Sequence, residues 1–251
     1  MTDLEIRYGF WDLPRELKSE PKPITYIEDY VPTKYLSLDF NSLYPASKQN
    51  NIISQWCKLL PELKEVKYIW LINRVNQKTF DSICQMENIE GIWIQWSVIK
   101  SVDNIQQLTR LKHLHLGSSP KVENIEALRI MSSLITLELE QLNKISDFSI
   151  LANLVNLEGL GVNGSLWTTQ KIDTLQFLKP LINLKYLTLI NSRLKDTSFD
   201  PILNLKELVR FRASWNHSIN EFKKLNVLPK LKIGFENKSW EDVIAARENK
   251  R

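Results

Sequence analysis

The pair His113 and His115, one residue apart, and the pair Glu138 and Glu140, likewise one residue apart and a short way downstream, form the spacing in this chain that most suggests metal chemistry. If HLHL and LELE are neighbouring strands, alternation puts both imidazoles and both carboxylates on one face, and these are the side chains that bind zinc and other transition metals. Any two residues on adjacent strands share that geometry, so the same pattern describes an ordinary histidine–carboxylate polar patch. A metal-dependent enzyme using His113 and His115 is therefore the second alternative, behind an immunity protein that neutralises a toxin, and no metal or other cofactor is assigned. No nucleophile elbow, HExxH segment or phosphate-binding loop is present, and Cys57 and Cys84 lack any CxxC or Cys/His spacing.

A second set of residues points to binding. Tyr35, Tyr68, Trp70, Trp93 and Trp96 come first along the chain, His113, His115, Glu138 and Glu140 follow, and Tyr186, Arg210, Arg212 and Trp215 close the series, with Lys230 and Lys232 beyond. The order runs from aromatic through acidic to basic, interrupted by Gly159, Gly161 and Gly164. Aromatic clusters with arginine nearby are the material of interaction hot spots, because large rigid side chains bury area at little entropic cost. Basic residues beside an aromatic also suit single-stranded nucleic acid. The modest net charge of +4 and the glutamates in the same series favour an acidic protein instead.

These residues belong to a repeated unit. In KISDFSILANLVNLEGLGV (residues 144–162) large apolar residues fall every third position from Ile145 to Leu160, then every second at Leu160 and Val162, so two kinds of structure are joined. The strand-like half recurs as VKYIWL, IEGIWI, LKHLHL, LITLEL, LEGLGV, LKYLTL and LVRFRA, with starts 23, 22, 23, 23, 27 and 24 residues apart. Between them the period-three ladder continues, as in Val102, Ile105, Leu108 and Leu111, a spacing suited to 3₁₀ or tightly wound helical turns. Each unit is one strand, one turn and one short return.

On these motifs the chain resembles leucine-rich repeat proteins, and its repeats are similar to the short bacterial internalin-like class, in which an IxDIxxLxxLxxL segment follows the strand. The match is carried by Ile145-Ser146-Asp147-Phe148 through Leu157, with weaker copies at Val102–Ile105 and Val122–Ile125, and covers roughly residues 33–235. The resemblance implies an α/β solenoid, a horseshoe with a concave parallel sheet and short 3₁₀ or helical convex segments. The family usually places Asn three residues after the strand's last Leu. Here that slot holds Asn41, Arg74, Ser97, Ser119, Leu142, Ser165, Ser192 and Asn216, so a short hydroxyl often stands in. Residues 1–32, with Trp11 and Tyr26, are expected to cap one end, residues 33–233 to form about nine strands, and residues 234–251, with Phe235 and Trp240, to cap the other.

At 251 residues, 43% hydrophobic and 25% charged, the chain can bury a substantial core. No apolar run reaches the roughly 18 residues that span a bilayer, and the opening MTDLEIRYGFWDLPRELKSE is acidic and broken by Pro14, unlike a signal peptide. The expectation is a cytoplasmic, monomeric, non-enzymatic module that binds a protein partner on its concave face, with an immunity protein neutralising a toxin as one form it could take. The step of 27 residues contains an insertion, NGSLWTTQKI, that leaves Trp167 on a rim loop, free for contact or tucked onto its own repeat. The strip from Gly159 to Gly164 would admit a close-approaching partner or simply reflect tight curvature.

Overall fold

The computed structural model describes residues 21–40, 44–234 and 238–249; Trp11, Asn41 and Phe235 lie outside them. Eight strands form one parallel sheet: β1 (Tyr35–Asp39), β2 (Tyr68–Val75), β3 (Gly91–Ser97), β4 (His113–Leu116), β5 (Thr136–Glu140), β6 (Gly159–Asn163), β8 (Tyr186–Leu189) and β10 (Arg210–Ala213). They stand side by side in chain order, and two three-residue strands, β7 (Gln170–Ile172) and β9 (Ser192–Leu194), make a separate parallel pair. Ile233 extends the main sheet by a bridge to Arg210, and Ile24 bridges to Leu38 of β1 at the other edge.

The period-three ladder builds the return path. From β3 to β10 the chain comes back through 3₁₀ turns at Asp103–Gln107, Glu126–Ile130, Ser149–Asn153, Gln176–Leu178 and Asp200–Asn204. With 3.0 residues per turn, every third side chain points the same way, here inward. Accordingly Val102, Ile105, Leu108 and Leu111 are buried, as are Phe148, Leu151, Leu154 and Leu157. The opening returns differ: α1 (Ala46–Leu59) fills the 33-residue step after β1, and α2 (Gln77–Ile83) follows β2, its N-terminus capped by the Asn76 side chain accepting from Thr79 N. A longer connection leaves room for a regular helix, and α1 buries Ile52, Ile53, Trp56 and Cys57 against the first repeats.

Successive repeats are also tied by side chains on the outer wall, where Asn88 donates to Lys64 O (2.8 Å), Asn156 to Ser132 O (2.9 Å) and Asn183 to Val155 O (2.9 Å). At the far end α3 (Ile219–Lys224) and α4 (Trp240–Glu248) close the stack. Trp240 is buried with its ring 6.0 Å from that of Phe222 and 6.2 Å from that of Phe211. No helix among the described residues is long and apolar enough to cross a membrane.

Candidate functional site

Strand register turns the concave face into two rows. The first reads Tyr35, Tyr68, Gly91, His113, Thr136, Gly159, Tyr186 and Arg210; the second reads Ser37, Trp70, Trp93, His115, Glu138, Gly161, Thr188 and Arg212. Ten of the thirteen residues singled out from the sequence stand in these rows. Trp96 lies further along β3 opposite Arg74, Glu140 ends β5 opposite Asn163, and Trp215 follows β10.

The rows are packed more tightly than the sequence suggests. Trp70 is 3% exposed, Glu138 6%, Tyr186 0% and Arg210 2%, so four residues expected on display are instead part of the floor. Side chains on a face that curves inward, with strands about 4.8 Å apart, shield one another. Tyr186 has side-chain-free Gly159 as one neighbour in register and the Arg210 guanidinium 5.2 Å from its ring centroid on the other side. Burial pushes the Tyr186 hydroxyl up to about 12, so it stays neutral. The glycine strip is likewise filled: a Cβ on Gly161 would lie 2.9 Å from Glu138 Cγ and from Thr188 Cγ2, and one on Gly164 would lie 2.3 Å from the carbonyl oxygens of Asn191 and Thr168. Close approach there is made by the protein's own neighbouring strands.

Left partly accessible are Tyr35, Tyr68, Trp93, Trp96, His113, His115, Glu140 and Arg212, with Trp215 at 40%. Tyr35 and Tyr68 have ring centroids 5.5 Å apart, with the Lys34 ammonium 4.8 Å and 5.5 Å from the two rings. Trp93 stacks on His115 at 5.3 Å with planes 11° apart. From there a hydrogen-bonded chain crosses the sheet. His115 Nδ1 lies 3.0 Å from Glu138 Oε2, Asn163 Nδ2 donates to Glu138 Oε1 at 2.7 Å, and Thr188 Oγ1 donates to Asn163 Oδ1 at 3.2 Å. Asn163 and Thr188 were not legible as members, since neither carries charge or aromaticity; only their register beside Glu140 and Gly161 gives them away.

The four-residue metal constellation does not assemble. Register sets His113 against Thr136, whose hydroxyl lies 2.9 Å from Nδ1, and Glu140 accepts from Ser118 Oγ at 2.9 Å, which leaves His115 and Glu138 as the one contacting pair of the four. Among the described residues no group of three or more His, Cys, Asp or Glu side chains is placed to hold a metal. Burial lowers His113 to about 4 and raises the Glu140 carboxyl above its ordinary range.

At the basic end, Arg212 Nη1 donates to Tyr186 OH at 3.4 Å, and Lys230 is paired with Glu207 at 2.5 Å. Trp215 is held by Arg247, a pairing across 32 positions that no repeat spacing announces. The guanidinium reaches in from α4, 4.4 Å from the Trp215 ring and 3.5 Å from that of Phe222, and donates to the carbonyls of Ala213 (2.9 Å) and Ser214 (3.0 Å).

No protein-family model matches this sequence, and no curated protein does. Among solved structures it is similar to internalin C2 of Listeria monocytogenes, at 24% identity and a TM-score of 0.57 over 72% of this chain and 80% of that one. It is also similar to a leucine-rich repeat protein of Leptospira interrogans (18%, TM-score 0.53, 85% of this chain and 52% of that) and to internalin F of Listeria monocytogenes (16%, TM-score 0.50, 71% and 53%). The chain spans about half the length of the latter two. The parallel sheet, the 3₁₀ returns and these likenesses agree: the chain has the leucine-rich repeat fold in its internalin-like form.

Proposed function

We propose that the chain is a non-enzymatic interaction module that binds a protein partner on its concave face, over the accessible rings of Tyr35, Tyr68, Trp93 and Trp96, with Glu140, Arg212 and Trp215 setting orientation. The observation that carries this reading is the ring series on adjacent strands, backed by a hydrogen-bonded chain across the floor through His115, Glu138, Asn163 and Thr188. Trp93 is held by its stack on His115, and His115 by Glu138, so a ring that would bury area in a complex loses little freedom on binding. The pairing at Glu138 argues against catalysis, since both its carboxylate oxygens are spent on His115 and Asn163, while His113 meets Thr136 through Nδ1. Acidic Glu140 in the middle of the face and basic Arg212 at its far end would select against partners of the wrong pattern.

The test is affinity capture with the full chain as bait, comparing wild type, Trp93→Ala/Trp96→Ala and the outer-wall control Ile130→Ala, all checked for folding by circular dichroism. Ile130 is exposed on the opposite wall. A protein retained by wild type and the control and lost by the double variant is the expected result. Equal retention by all three baits would overturn the concave-face reading.

A further inference from the structure

The insertion between β6 and β8 forms a rim turn with an unusual tip. Leu166 is 90% exposed and Trp167 92%, the most exposed large apolar pair among the described residues. The backbone beneath them is firmly tied. Ser165 N donates to Thr168 O at 2.9 Å, Ser165 Oγ accepts from Thr168 N at 3.1 Å, and Asn191 Nδ2 donates to Ser165 O at 2.6 Å. Gln141 Nε2 adds a bond to Thr168 Oγ1 at 3.2 Å from the preceding repeat. Gly164 permits the packing, since a side chain there would strike the backbone of Asn191 and Thr168. A turn fixed from both neighbouring repeats, yet presenting its two largest side chains to solvent, is pre-organised for contact.

What it contacts is constrained by charge. The strand pair that follows places Lys171 directly opposite Arg193, both exposed, and among the described residues neither has an ion-pair partner. Like charges directly opposite each other are mutually unfavourable, and an acidic surface relieves them. An anionic membrane would also attract Lys171 and Arg193 and take up Trp167. Asp173 and Asp196, joined by a backbone bond of 2.9 Å, sit within three residues of those cations, and a uniformly negative lipid surface would repel them. A mixed pattern fits a protein surface of complementary pattern instead.

We propose that the Ser165–Thr168 turn is a second docking element, separate from the concave face, that seats Leu166 and Trp167 in an apolar recess of a protein partner while Lys171 and Arg193 meet acidic side chains at its edge. The test places p-benzoylphenylalanine at position 167 of the full chain in its producing cells, irradiates, and maps the cross-linked residue by mass spectrometry; the captured protein is then purified and titrated. The expected result is a protein adduct adjoining Asp or Glu residues. Affinity for that protein should fall at least about tenfold with Trp167→Ala, the scale of a hot-spot residue, and fall with Lys171→Glu/Arg193→Glu, recovering when the partner's acidic residues are changed to Lys. Because both tip side chains are exposed, Trp167→Ala should leave the melting temperature unchanged. The proposal is overturned by adduct yields no higher than with the photo-probe at Ile130, by affinity indifferent to Trp167→Ala or to charge reversal, or by Trp167-dependent co-sedimentation with phosphatidylserine vesicles. Trp93→Ala/Trp96→Ala run alongside separates the two surfaces, since failure at the rim leaves concave binding intact and the reverse also holds.

Discussion

Glu138 is the residue on which most of the concave floor converges. Its two oxygens serve His115 and Asn163, and it is buried beside Gly161. Removing the carboxylate strands the buried Asn163 amide and the largely covered His115 ring at once, which costs more than the bonds themselves are worth. Glu138→Ala is expected to destabilise by about 2–4 kcal/mol and Glu138→Gln by less, measured by urea unfolding. His113 supplies a pH signature. Burial holds its folded-state value at about 4 against an ordinary 6.5, so between those values the unfolded chain binds the extra proton. Stability contributed by neutral His113 is thus full above pH 6.5 and is lost as pH falls towards 4, by up to about 3 kcal/mol at about 1.4 kcal/mol per pH unit. Half-buried His217 slopes the same way, while the raised Glu140 slopes oppositely, losing stability as pH rises above its ordinary 4.5. His113→Gln should flatten the acid limb of a stability–pH curve without moving the Glu140 limb. The sequence singled out His113, Glu138 and Glu140 but not His217, and its alternation set His113 and Glu138 in the concave rows. It did not reveal which would be covered, because the burial of Trp70 or Tyr186 depends on residues 20 or more positions away on neighbouring strands.

At the level of the element, the repeat itself was the most legible feature, since a period of three followed by a period of two can bury all its apolar residues in one way only. The irregular repeats were less so. Leu142 occupies a slot where the family's Asn would bond the turn, and Gln170, from the insertion, takes over. Its buried side chain accepts from Leu142 N at 2.7 Å and donates to Leu142 O at 3.3 Å and Ile145 O at 2.8 Å. The substitute comes from the next repeat, 28 residues on, so spacing within one repeat could not disclose it. Elsewhere the hydroxyls do stand in as read, with Ser97 Oγ 2.7 Å from Ser119 Oγ and Ser192 Oγ donating to Leu189 O at 2.8 Å. Gln170→Ala should cost about 2–3 kcal/mol, the penalty for unpaired buried backbone groups, and speed amide exchange at Leu142 ahead of the flanking strands.

Over the whole molecule each strand touches only its neighbours, so stability accumulates repeat by repeat and the ends are where it is lost first. Trp240 of α4 packs on Phe211 and Phe222 and bonds Asn226 Oδ1 through Nε1 at 2.9 Å, which makes it the bolt of the C-terminal end. Trp240→Ala is expected to cost about 3–5 kcal/mol locally and to accelerate hydrogen exchange in β10 and β8 while β2 and β3 keep their protection. Uniform acceleration along the sheet would mean that the array unfolds as one unit. The parallel direction of all eight strands has a separate consequence for how such a molecule can change. Every chain segment that leaves a strand does so on the same edge, and there the turn bearing Trp167, the Asn191 bend and Trp215 already lie in adjoining repeats. Residues added after any strand would therefore enlarge one continuous rim without disturbing the ladder behind it. That edge is where new specificity can be written at the lowest cost to the fold.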